Sequence, residues 1–206
     1  VTDEYYQNAL ELDVQNLLKL DADRLLAGFR ETAGYAAGMS DKDIESYMKN
    51  KKRYEGGWEN SLIGGHTLGH YMSAVAQGIV NPGVTAEEKE KLTERLNYIV
   101  DALNDCQKKT EGVNGLEGYI FGATLPNSSF KKNVALQFDN VEKGRANIAT
   151  EAWVPWYTMH KILAGLVDSY QIAGNKTALE VANKLGTWIA DRANNWSSST
   201  QSTVLG

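Results

Sequence analysis

An all-α fold is what this 206-residue sequence predicts, and two observations carry the prediction. Apolar residues recur at three- and four-residue spacing through most of the chain, as in Leu92, Leu96, Ile99, Val100 and Leu103. The segments with that period are separated by short punctuation such as Asn81-Pro82-Gly83 and Gly174-Asn175. Successive helices joined by short turns imply stacked helical hairpins, not a parallel α/β sheet.

Taken in order, the first periodic segment runs from about Glu4 to Thr32, using Leu10, Val14, Leu17, Leu18, Leu25, Leu26 and Phe29, with Gly34 as its stop. Ala36-Ala37-Gly38 reads as a loop. Ser40, with Asp43 three residues on, resembles a capping box for a short helix to about Lys49. The polar stretch from there to Gly57 reads as another loop. The next helix spans Gly65 to Ile79 and is stopped by Asn81-Pro82-Gly83. Thr85, with Glu88 three residues later, caps a third long helix. Residues 112–152 form a long irregular loop, which in a compact domain is more often functional or flexible than idle. Helix returns from about Pro155 to Ile172 and from about Thr177 to Ala193. Ser197 to Thr203 is a low-complexity polar tail, and the apolar Val204-Leu205 after it suggests a further element cut off.

The length and the 42% hydrophobic content fit one helical domain over residues 1–206. No run of 18 apolar residues exists, so no membrane-spanning helix is expected. The chain opens on Val1 without a charged-then-apolar leader, which reads as a processed or excised piece. A net charge of −5 and no basic stripe argue against nucleic acid as a partner. A single cysteine, Cys106, excludes an internal disulfide and any zinc site built from several cysteines. Late on the third long helix, it reads as a half-buried structural thiol. No G-x-S-x-G elbow, P-loop or dinucleotide fingerprint is present.

The residues most suggestive of chemistry are the three histidines. His66 and His70 lie four residues apart after Gly64-Gly65, and His160 follows Trp153-Val154-Pro155-Trp156-Tyr157. On a helix, Leu68, Met72, Val75 and Ile79 share one face, while His66, His70, Ser73 and Gln77 share the other. That second face either meets water or grips a ligand. It carries no Lys or Glu, and its uncharged donors and acceptors suit hydroxyl groups. The i, i+4 pair is also spaced to chelate a metal, with His160, Glu59 or Asp168 as the third ligand, although the inner Glu of H-E-x-x-H is missing. Aromatic rings beside a polar cleft give sugars an apolar face to stack on. Glu111, Glu117 and Glu151 are further carboxylates that could serve as acid or base.

Three blocks carry a resemblance: Trp58-Glu59, Gly65-His66-Thr67-Leu68-Gly69-His70-Tyr71-Met72-Ser73-Ala74, and Trp156-Tyr157-Thr158-Met159-His160-Lys161-Ile162-Leu163-Ala164-Gly165-Leu166. With Leu25 to Gly34 and Gly118-Tyr119-Ile120, they resemble the β-L-arabinofuranosidase group, glycoside hydrolase families 127 and 146, over about residues 10–192. The resemblance implies about half of an (α/α)6 toroid, the N-terminal part of a larger catalytic domain. It implies a retaining exo-hydrolase that removes terminal β-L-arabinofuranose from plant glycans, acting outside the cell or in the periplasm. It also implies that the complete enzyme uses a cysteine nucleophile held on zinc by further cysteines and a glutamate, and a separate glutamate as acid/base. This chain carries none of that set, so no catalytic residue and no metal ligand is assigned in it, and it is expected to be inactive alone. What carries over is a substrate wall: His66, His70 and His160 as contacts to sugar hydroxyls, shaped by Tyr71, Tyr157, Trp58 and Glu59. The partners implied are an arabinose-containing glycan and either the missing half of the barrel or a second copy. The alternative is a non-catalytic helical module binding carbohydrate or protein through the same cleft.

Overall fold

The computed structural model describes residues 3–205 and, among them, ten helices. They are α1 (Glu4–Lys19), α2 (Ala22–Ala36), α3 (Asp41–Tyr47), α4 (His66–Val80), α5 (Ala86–Lys108), α6 (Ser128–Lys132), α7 (Leu136–Glu142), α8 (Pro155–Gln171), α9 (Lys176–Asn194) and α10 (Ser198–Leu205). The class is all-α as expected, and the stacked hairpins are part of an α/α toroid. None of the described helices is long and apolar enough to cross a membrane.

Capping chemistry sets most boundaries. Thr85 and Glu88 form a complete capping box, with Thr85 Oγ1 accepting from the Glu88 amide and Glu88 Oε2 accepting from the Thr85 amide. Ser40 caps α3 through the Asp43 amide, and Asn175 caps α9 through the Ala178 amide. The single helix expected over 4–32 is instead two. Asp21 takes an extended conformation and its side chain accepts from the amides of Asp23 and Arg24, which starts α2 afresh. The carbonyls left free at the end of α1 are met by Arg95 of α5, which reaches the Leu18 and Leu20 oxygens. Gly34 does not stop α2. It lies inside the helix, and Ile44 occupies the space where a Cβ would go, 2.5 Å away, so the position takes only glycine. The polar tail after Ser197 is helical as α10, not a linker.

At the centre, α4 packs on α8; α5 covers α4, α9 covers α8, and α2 lies against α5. The buried stripe of α5 is the expected one, Leu92, Leu96, Ile99, Val100 and Leu103. Residues 112–152 behave differently from the expected loop. They contain α6 and α7, and they send Tyr119, Phe121, Phe130 and Phe138 into the core at 1% exposure or less. Tyr119, Phe121 and Phe138 join Trp156 and Trp188 in one aromatic cluster, with Phe138 standing edge-on 4.8 Å from Trp156 and 5.2 Å from Trp188. Such a segment is core filler with irregular backbone. Its lack of period hides from the sequence what its burial reveals.

Candidate functional site

The site begins with a close crossing of backbones. A Cβ on Gly69 of α4 would stand 2.1 Å from the Lys161 carbonyl oxygen of α8, and one on Gly165 would stand 2.5 Å from the Gly69 oxygen. Only paired glycines allow this approach, and it brings the histidine-bearing starts of both helices side by side. Gly65 caps α4 with φ at +93°, and its Cα face meets Gly122 and the Phe29 ring. That turn aims His66 inward and leaves His70 one turn further on at the surface of the same face.

His66 is 8% exposed. Its Nδ1 lies 2.8 Å from the Ile63 carbonyl oxygen, which can only accept, so Nδ1 carries a proton and Nε2 is left to face outward. Glu59 stands behind it. Its Oε2 accepts from the Gly65 amide at 3.1 Å, while Oε1 lies 3.8 Å from His66 Nδ1 and has no hydrogen-bond partner of its own. Ring centroids place Tyr157 at 6.1 Å, His70 at 6.1 Å and Trp58 at 5.8 Å from His66. His160 is exposed on α8, and its charge and that of Lys161 are both felt at His70.

Burial lowers the His70 pKa below 6.5, reinforced by Lys161, His66 and His160. His70 is therefore neutral at physiological pH and offers one donor and one acceptor, the pairing a hydroxyl needs. Because the folded pKa is the lower one, the folded chain binds fewer protons than the unfolded chain just below pH 6.5. Stability from this group is thus full above that pH and falls as acid titrates through the window. An NMR titration is expected to give His70 a midpoint below 6.5, and a midpoint above it would contradict the arrangement.

The structure thus gathers His66, His70, Tyr157, Trp58 and Glu59, with His160 nearby. It does not bring Tyr71 to them. Tyr71 is 4% exposed and donates to the Leu17 carbonyl at 2.7 Å, because it sits on the opposite face of α4 from His66 and His70 and packs on α1 and α5. Glu111 pairs with Lys184 at the surface, and Glu117 is exposed. Two contributors escaped the sequence reading. Gln137 of α7 donates to the Leu62 and Ala123 carbonyls and accepts from the Trp153 amide, tying both flanks of the site together. Lys161 lies 4.9 Å over the Tyr157 ring. A lone Gln in an aperiodic segment and a Lys in a helix give no sequence signal of either task.

Among the described residues, several cavities lie away from this wall. One of about 500 Å³ is lined by Glu31, Ile44, Arg53 and Asn60, and its central charges, Glu31 and Arg53, pair with each other at 2.6 Å. It is held by structural ion pairing and includes none of the histidines.

The donors for the zinc that the resemblance implies do not fit this chain. Cys106 lies on α5, fully buried rather than half-buried, beside the Tyr47 hydroxyl at 3.4 Å, and burial pushes its thiol up to about 11. Among the described residues no three His, Cys, Asp or Glu side chains are grouped to hold a metal ion.

A search of curated proteins finds no match. The family model described as β-L-arabinofuranosidase, GH127 catalytic domain, matches residues 1–205. A helical chain with paired glycines crossing beneath a histidine and aromatic wall therefore belongs to the GH127 catalytic-domain family, a family of glycoside hydrolases.

Proposed function

We propose that this chain supplies one wall of the sugar pocket of an enzyme removing terminal β-L-arabinofuranose from plant glycans, with His66, His70 and His160 bonding the sugar hydroxyls. The observation that carries the reading is the assembly of imidazoles beside Tyr157 and Trp58 across the Gly69–Gly165 crossing. His66 Nε2 accepts from one hydroxyl, while His70 both donates and accepts. Glu59 keeps the tautomer of His66 by holding the Gly65 turn. Zinc and the thiolate nucleophile belong to residues other than these. An extracellular or periplasmic setting goes with such a substrate. Exposed Tyr5, Tyr6 and Leu12 on α1 support packing against further helices, from the rest of a barrel or from a second copy.

A specific observation favours a second reading for the chain by itself. With its one thiol buried in α5, it binds carbohydrate without cleaving it. Both readings are tested together by titrating the purified chain with L-arabinose and assaying hydrolysis of an aryl β-L-arabinofuranoside. Weak binding, reduced about 10-fold or more in His66→Ala through loss of a buried hydrogen bond, and no hydrolysis are expected. Unchanged binding in His66→Ala would remove the histidine wall from the pocket. Hydrolysis by the chain alone would show that the nucleophile lies within it.

A further inference from the structure

We propose that the cavity of about 500 Å³ bounded by α2, α3 and residues 48–60 is a second ligand site, for a small carboxylate with an apolar body. It includes none of the three histidines and stands independently of the sugar wall. Its volume lies in the range of small-molecule sites, roughly 300–1,000 Å³, and its lining has their character, mostly apolar with a few polar groups. Tyr35, Ile44, Met48, Leu125 and Pro126 supply the apolar walls, and Arg53 supplies the polar floor.

Arg53 is the reason to expect an occupant that accepts hydrogen bonds. It is 7% exposed, yet only one end of its guanidinium is used. Nη2 donates to Glu31 Oε2 at 2.6 Å and to the Thr124 carbonyl at 2.7 Å. Nε is buried without a partner, and Nη1 makes no hydrogen bond among the described residues. Buried polar groups are as a rule bonded, and a guanidinium brings five N–H donors, so this one has donors to spare. Nε lies against the Gly28 backbone, where a Cβ would come within 2.9 Å of it, which leaves Nη1 for a ligand.

The carboxylates around the cavity do not take up that donor. Glu31 is paired through Oε2, and its Oε1 accepts from the Tyr35 hydroxyl at 3.5 Å. Asp41 is held by Lys131 Nζ at 2.7 and 2.9 Å, and Lys51 by Asp21 at 2.9 Å. Lys52 and Glu45 remain, both exposed, one of each sign, and neither in an ion pair among the described residues. What the cavity has in excess is a buried donor, and the acceptor that gains most from a guanidinium is a carboxylate. The lip is preset as well. Lys49 and Asn50 take φ of +56° and +55°, a left-handed conformation unfavourable for residues with side chains. Their amides donate to the Ser46 and Glu45 carbonyls at 2.8 and 2.9 Å, which fixes the turn that places Met48, Asn50 and Lys51 around the opening.

The test is a proton–nitrogen NMR titration of the chain with phenylacetate and with phenylacetamide, its uncharged counterpart of nearly the same shape. Phenylacetate is expected to bind at about 1 mM or tighter, shifting the amides of Ile44, Met48, Arg53 and Asn60 and leaving those of His66, His70 and His160 in place. Phenylacetamide is expected to bind about 10-fold more weakly, because it lacks the charge-assisted bond. Met48→Glu puts a like charge on a half-buried wall residue and is expected to abolish phenylacetate binding. Equal affinity for the two compounds overturns the carboxylate assignment. No shift between Ile44 and Asn60 up to about 20 mM, or shifts confined to the histidines, overturns the site. Phenylacetate binding unchanged in Met48→Glu overturns it too. The comparison of the two compounds uses the wild-type chain, so it decides the proposal even if that variant unfolds.

Discussion

Gly69→Ala is expected to destabilise the chain by about 3 kcal/mol or more and to separate the two halves of the histidine wall. The added methyl would stand 2.1 Å from the Lys161 oxygen, 2.3 Å from its carbonyl carbon and 2.8 Å from the Ile162 nitrogen. All three are backbone atoms of α8, so no rotamer change can relieve the clash, and the helices must move apart. Moving α8 carries Tyr157, His160 and Lys161 away from His66 and His70, so sugar affinity is expected to fall even at temperatures where the variant is folded. The same substitution at Gly186 of α9 serves as the control. A Cβ there meets nothing within 4 Å, and alanine is the better helix former by up to about 1 kcal/mol, so Gly186→Ala is expected to raise stability. Thermal melts of the two variants check both signs. Equal melting temperatures would mean that the crossing is looser than the structure has it.

Arg53→Met is the second large effect, expected to destabilise by about 3–5 kcal/mol. Arg53 and Glu31 are 8% and 13% exposed at their side chains, paired at 2.6 Å, and the same Arg53 Nη2 donates to the Thr124 carbonyl at 2.7 Å. Removing the guanidinium leaves the largely buried Glu31 carboxylate with only a 3.5 Å bond from the Tyr35 hydroxyl, and takes a donor from the Thr124 carbonyl. For a chain of this length the loss corresponds to a drop in Tm of roughly 6–20 °C. The pH dependence has a definite sign. Burial already pushes the Glu31 pKa above 4.5 in spite of Arg53, and losing Arg53 pushes it higher. A carboxyl with a raised folded pKa contributes stability that is full below 4.5 and lost as pH rises through the folded value. The variant is therefore expected to recover part of its deficit on acidification from neutral pH towards 4.5. Arg53→Met combined with Glu31→Leu is expected to recover much of it at neutral pH, since replacing both members of a buried pair by apolar groups is far milder than removing one. A variant as stable as wild type at pH 7 would show that Glu31 reaches water.

The sequence by itself determined what local chemistry can determine. Period and caps were enough for α4, α5, α8 and α9, because Thr85, Asn175 and Pro155 act on backbone groups within one turn of themselves. The histidines were legible as a site because their residue types and spacing stand out on otherwise apolar helices. Errors arose where a distant partner decides the outcome. Asp21 breaks the first helix with the help of Tyr54 and Arg95, and Gly34 is a helical glycine that makes room for Ile44, not a stop. Tyr71 sits one residue from His70, yet the 100° turn between them sends it to the core. Residues 112–152 read as a functional or flexible loop because they have no period, although tertiary packing buries Tyr119, Phe121, Phe130 and Phe138 to 1% exposure or less. Only the tertiary structure decided how α4 meets α8, and with it the geometry of the wall, because a glycine's meaning lies in the backbone that approaches it and that backbone is 92 or 96 residues away.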